Sequence, residues 1–181
     1  MSITKVSDFT KDSFCFEDAV ENSYGSKTIK LTACDQGPLL LKVTDCRSYG
    51  VSKSKFDKEK YSISLSLFEK SEFISVLELI EKECAKHVGR PDEKIMKCLS
   101  RKGNTPTLYP SIDDEMEMYE LKGNDPVDHK KYQDKRFHVD VIVRIKGIYV
   151  SGKTTTIQVK LYEASILEEK PKVPRKRLLR D

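Results

Sequence analysis

From Phe137 to Glu163 the chain reads FHVDVIVRIKGIYVSGKTTTIQVKLYE, two alternating runs separated by a short polar stretch. Phe137, Val139, Val141, Val143 and Ile145 share one face of an extended strand, and His138, Asp140, Arg144 and Lys146 share the other. Ile142 is the one apolar residue on the polar side. Thr155, Ile157, Val159 and Leu161 then repeat the inward phase, with Thr156, Gln158, Lys160 and Tyr162 outward. Two such strands must pair apolar to apolar, because a one-residue slip turns a whole set to the wrong face. Ile145 opposite Ile157 and Val143 opposite Val159 meets that condition. It predicts a three-residue loop, Val150-Ser151-Gly152, with Gly152 left-handed.

The same residues spell a phosphate-binding motif. Gly147-Ile-Tyr-Val-Ser-Gly152-Lys153-Thr154 fits G-x-x-x-x-G-K-[ST] letter for letter. A working phosphate loop needs a Gly-rich turn and then a helix whose N-terminal amides hold the anion. Here strand-forming residues fill the gap, and the β-branched run after Thr154 excludes a helix start. The hairpin reading wins.

Its solvent face collects Arg144, Lys146, Gln158, Lys160 and Tyr162. Bases beside an aromatic on a sheet suit a single-stranded nucleic acid, and they equally suit an ordinary solvated face. The whole chain has 181 residues, 34% charged and 38% hydrophobic, with a net charge of +4. That is one domain with enough apolar residues for a core and a mildly basic surface. No apolar run reaches membrane-spanning length, and the polar start lacks a signal-peptide pattern, so a soluble chain is expected. The five cysteines, Cys15, Cys34, Cys46, Cys84 and Cys98, show no metal-ligand spacing and read as free thiols.

Upstream, Thr28–Cys34, Leu39–Val43 and Arg47–Val51 read as strands, and Tyr61, Ile63, Leu65 and Leu67 alternate with serines. The period then changes. Phe73, Val76, Leu77, Ile80 and Cys84 form a helical stripe over 71–88, with Ser71 as N-cap, Gly89 at its end and Pro91 beyond. A short second helix over Pro91–Leu99 and a strand over Glu115–Lys122 are also expected, with 101–109 and 123–136 as loops. Residues 168–181 carry six Lys/Arg against three acids. Such a tail serves as an import signal, a nucleic-acid arm or a docking peptide. The expected fold is a β-rich α+β domain. It is an oligonucleotide-binding-type antiparallel barrel with its principal helix, about 71–88, between the third and fourth strands and a C-terminal hairpin. The divisions are an N-terminal segment 1–26, a domain 27–165 with an insertion at 90–135, and a basic tail 166–181.

Catalytic signals are thin. His87, His129 and His138 lie apart and near no nucleophile signature. The acidic run Asp113, Asp114, Glu115, Glu117, Glu120 matches no calcium loop, so a non-enzyme without metal or cofactor is expected. Two regions mix bases with aromatics: Lys42, Arg47, Tyr49, Lys53, Lys55, Phe56, Lys58 and Lys60 in the first, and His129, Lys130, Lys131, Tyr132, Lys135, Arg136 and Phe137 in the second.

The segments GPLLL at 37–41, RSYGV at 47–51, YSISL at 61–65, YPSI at 109–112, IKGIYV at 145–150 and IQVKLYE at 157–163 resemble proteins of large eukaryotic DNA viruses. Those proteins are similar to phage-type single-stranded DNA-binding proteins with an oligonucleotide-binding barrel. The resemblance covers roughly 37–165 and implies a chain that coats single strands in viral replication or recombination, in a viral factory of the host cytoplasm or nucleus. It makes Tyr49, Tyr149 and Tyr162 stacking candidates beside Arg47, Lys53, Lys55, Lys131, Arg136, Arg144, Lys146 and Lys160. One departure stands out: phage-type members usually end in an acidic tail, and this chain ends basic. Homo-oligomers and viral replication or virion proteins are the further partners expected. The alternative is a virion structural protein using the same barrel for subunit contacts.

Overall fold

The alternating run at the C-terminal end builds the longest ladder of the molecule, whose computed structural model describes residues 1–55, 57–91, 94–152 and 154–167. Phe137–Val150 and Thr155–Leu167 are the last two of the twelve strands among the described residues, β11 and β12, paired antiparallel. The inward sets are as the alternation requires: Val143, Ile145 and Leu161 are fully buried. The register differs from the sequence expectation. Ile145 faces Val159, Val143 faces Leu161, and Ile148 faces Ile157. The turn lies further along than the expected loop, with Val150 opposite Thr155, and a bulge at Lys146 then restores the inward phase; a second bulge at Tyr162 shifts the register only beyond Leu161. The turn spans 151–154 and is held by Ser151, whose N–H donates to the Thr154 carbonyl at 2.9 Å. Gly152 is not among the positive-φ glycines. Lys153 lies outside the described residues.

Gly147 needs its hydrogen for another reason. A Cβ there would sit 2.3 Å from the carbonyl oxygen of Ile29. Ile29 belongs to β3, Lys27–Ala33, which pairs with the 147–150 end of β11. The first glycine of the phosphate-loop spelling is thus a backbone crossing inside a sheet.

The two expected strands at 39–43 and 47–51 are one, β4, Leu39–Lys53, which pairs with β11 along one edge and with β5, Tyr61–Ser66, along the other. β5 pairs with β9, Ser111–Ile112, which in turn meets β12 in parallel at Lys160. The ring β4–β5–β9–β12–β11 closes a five-stranded barrel around Leu39, Leu41, Val51, Ile63, Leu65, Val139 and Val143. Outside the ring, β1 (Phe14–Phe16) and β2 (Val20–Glu21) pair with β3.

α1, Ser71–Val88, buries the expected stripe and ends on left-handed Gly89. Its N-cap is Lys70, which makes no side-chain cap bond, not Ser71. Counted among the five longest strands the helix follows the third, β5; counted round the closed ring it follows the second. No α-helix forms over 91–99 among the described residues; Lys94 sits in a 3-10 turn, its N–H donating to the Pro91 carbonyl at 2.9 Å. β6 (Ile95–Met96) and β7 (Leu99–Ser100) lie there, β6 parallel to β12 and β7 against β8 (Thr107–Leu108). The strand at 115–122 is β10, Glu117–Glu120, parallel to the far end of β12. β12 continues through Ile166 and Leu167, where a tail was expected to begin. Residues 168–181 lie outside the described residues.

Candidate nucleic-acid interface

Tyr49 is pushed outward by a defect in β4. Ser48 faces Leu65 and Gly50 faces Ser64, so Tyr49 is an extra residue on its strand. Bulges of this kind re-aim side chains at working surfaces. Here the ring is left 46% exposed. Serines fasten the distortion: the Tyr49 N–H donates to Ser64 Oγ and the Gly50 N–H to Ser48 Oγ, each at 3.0 Å. Gly50 takes φ 114°, and a Cβ on it would lie 2.8 Å from backbone atoms of Lys135.

That close approach brings the second basic–aromatic region onto the first. The Asp134 N–H donates to the Val51 carbonyl at 3.1 Å, and Gln133 bridges to Val51. Arg136 consequently reaches the Tyr49 ring at 5.7 Å from the centroid, and Arg47 reaches the same ring at 5.8 Å. A second centre forms at Tyr61, opposite Lys53 in the β4–β5 register. Lys53 Nζ stands 5.7 Å and Lys130 Nζ 5.8 Å from its centroid, with His129 edge-on at 5.0 Å. Burial pushes the His129 imidazole below its ordinary pKa, which favours the neutral ring. Lys55 is exposed in the β4–β5 turn, and Phe56 lies outside the described residues.

Other candidates are already engaged. Lys131 pairs with Glu120 at 2.6 Å, and Glu120 also accepts from the Tyr132 hydroxyl. Those hydrogen bonds hold the Glu120 carboxyl below its usual range, while burial and the same carboxylate push Tyr132 up to about 12. On the hairpin face Arg144 stands opposite Lys160. The acidic turn before β10 covers both, with Glu115 3.8 Å from Arg144 and Asp113 3.7 Å from Lys160. Arg144 Nε is buried without a hydrogen-bond partner. Lys146 is exposed at its bulge, Tyr149 is half-buried at the β3–β11 crossing, and the Tyr162 hydroxyl donates to Met1 Sδ at 3.0 Å.

The structure therefore gathers Arg47 and Arg136 at Tyr49 and Lys53 and Lys130 at Tyr61, and sets Arg144, Lys160 and Tyr162 apart on the hairpin, where carboxylates balance the charge. Tyr61 was missed as a surface ring because its alternation with buried Ile63 and Leu65 assigns it inward. Only the β4–β5 register places it beside Lys53.

No protein-family model and no curated protein sequence matches the chain. Solved structures do. The single-stranded DNA-binding protein of bacteriophage Enc34 in complex with ssDNA superposes with a TM-score of 0.53 at 9% identity, covering 84% of this chain and 95% of that one. A second structure of the same phage protein gives 0.51 at 12% identity, with 90% and 96% covered. Its C-terminal truncation gives 0.55 at 10% identity, with 89% and 98% covered. The chain shares the fold of a phage single-stranded DNA-binding protein. Identity this low carries the backbone and not the side chains, so the interface rests on the residues described above.

Proposed function

We propose that this protein binds single-stranded DNA without sequence preference, by neutralising phosphates and stacking bases on aromatic rings. The observation that carries the reading is Tyr49, half-exposed on a fastened bulge with two guanidiniums near its ring centroid, Arg136 at 5.7 Å and Arg47 at 5.8 Å. Arginines beside an open ring supply phosphate contacts and a stacking platform together, which is what sequence-tolerant binding of single strands needs. Tyr61, with Lys53 and Lys130, repeats the arrangement on the neighbouring strand. The fold shared with a phage protein described in complex with ssDNA supports the same substrate class. The proposal extends to setting: a protein of a large eukaryotic DNA virus that covers exposed strands during replication or recombination in the viral factory, a binding protein and not an enzyme.

The test is a polarisation titration of labelled oligothymidine at two salt concentrations, with the native protein and Tyr49→Ala. Binding should weaken steeply with salt. Loss of the ring should cost about 1–3 kcal/mol and leave the salt slope unchanged. Absence of oligothymidine binding at low salt overturns the proposal.

A further inference from the structure

The edge of β12 away from β11 is not continuously paired. Thr155 and Thr156 meet β6, Lys160 meets Ser111 of β9, and Glu163 to Ile166 meet β10. Between the first two contacts, Ile157, Gln158 and Val159 have no strand neighbour on that side among the described residues, and a cleft of about 410 Å³ opens in the barrel wall. Leu99 and Leu108 give it apolar walls, Ser100, Ser111 and Gln158 give it neutral polar groups, and Tyr109 lines it. The Tyr109 ring is 53% exposed although its loop is pinned, since Pro106 and Pro110 accept from the Leu67 and Ile63 N–H groups of the adjoining barrel segment at 2.9 and 3.1 Å.

Size and charge narrow the occupant. Three strand residues span about 10 Å, room for one planar heterocycle and less than a typical paired strand of five or six residues. The lysines lining the cleft are balanced, Lys97 by Glu81 at 3.4 Å and Lys160 by Asp113 at 3.7 Å. A site with balanced charge, apolar walls and amide and hydroxyl groups suits a neutral base better than a phosphate. It also borders the proposed binding surface. β9 joins the two, with Ser111 facing both Lys160 and Ser62, and Ile112 facing Tyr61.

We propose that this cleft is a base pocket. One nucleobase of a bound strand leaves the Tyr61 side of the binding surface, stacks on Tyr109 and hydrogen-bonds to Gln158 and the Ser100 hydroxyl, the Ser111 hydroxyl donating to the Val159 carbonyl. The inference rests on the single-strand-binding reading and adds a pocket to it.

The experiment uses oligothymidine carrying 2-aminopurine at successive positions, with the native protein, Tyr109→Ala, Tyr109→Phe and Gln158→Ala. In the native complex one position should change its fluorescence far more than its neighbours. Tyr109→Ala should abolish that contrast and weaken binding at least about fivefold with an unchanged salt slope, and Tyr109→Phe should restore both, because stacking needs the ring and not the hydroxyl. Gln158→Ala should weaken binding at the contrasting position alone. Native binding with uniform fluorescence, and Tyr109→Ala within twofold of native affinity, would overturn the pocket and leave the binding function standing. No oligothymidine binding by the native protein would overturn both.

Discussion

Two glycines of the hairpin, five residues apart, have opposite demands on space. At Gly147 a methyl group would meet the Ile29 carbonyl at 2.3 Å, and the nearest atoms are all β3 backbone, with no flexible side-chain end to yield. At Gly152 nothing lies within 4 Å of the same position, and φ is not positive. Gly147→Ala should therefore lower stability by about 1–3 kcal/mol through overpacking, while Gly152→Ala should stay within about 0.5 kcal/mol of the native protein. Thermal unfolding of the two variants checks this, and ATP should bind to neither nor to the native chain. Equal melting points would mean that β3 does not cross β11 at this glycine. The contrast explains why a phosphate-loop spelling arises without phosphate-loop chemistry: its first glycine is fixed by a strand crossing and its second sits in a turn.

Elements differ in how much of them the residues announce. Alternation over Phe137–Ile145 and Thr155–Leu161 fixes which side chains enter the core, and the α1 stripe with its terminal glycine does the same for the helix. The β11–β12 register was not legible, because the turn position and the bulge at Lys146 go with the pairing of Gly147–Val150 to β3, not with local pattern. β6 to β9 were illegible for a simpler reason: each has two residues, too few to show a period, and pairing alone makes them strands. The interface divides the same way. Both basic–aromatic regions are visible by composition, but their meeting depends on the Tyr49 bulge and the bare Gly50 backbone. The acidic turn was visible too, though not its position over Arg144 and Lys160. Like charges directly opposite each other in a sheet repel, and Asp113 and Glu115 offset that repulsion at distances too long for good hydrogen bonds. Asp113→Asn with Glu115→Gln should therefore strengthen oligothymidine binding and steepen its salt slope by about 1.4, as two further charges reach phosphates. An unchanged slope would restrict the hairpin face to a structural role.

At the scale of the whole molecule, a net charge of +4 is too small to explain single-strand binding by general attraction, so the placement of charge decides. The surface around β4 presents Arg47, Lys53 and Arg136 against tyrosine rings, whereas carboxylates face two of the three cations in the hairpin set Arg144, Lys146 and Lys160. Two triple-alanine variants separate these surfaces although each removes three positive charges. If the β4 surface binds the strand, removing its three cations should flatten the salt slope by about 2, from three lost phosphate contacts, and the hairpin triple should flatten it by less than half as much. Duplex of the same length should bind more weakly than oligothymidine in every case, because a duplex hides the base faces that Tyr49 and Tyr61 would stack on. Equal slopes for the two triples would mean that overall charge, not this surface, holds the strand. Tighter binding to duplex would remove stacking from the mechanism.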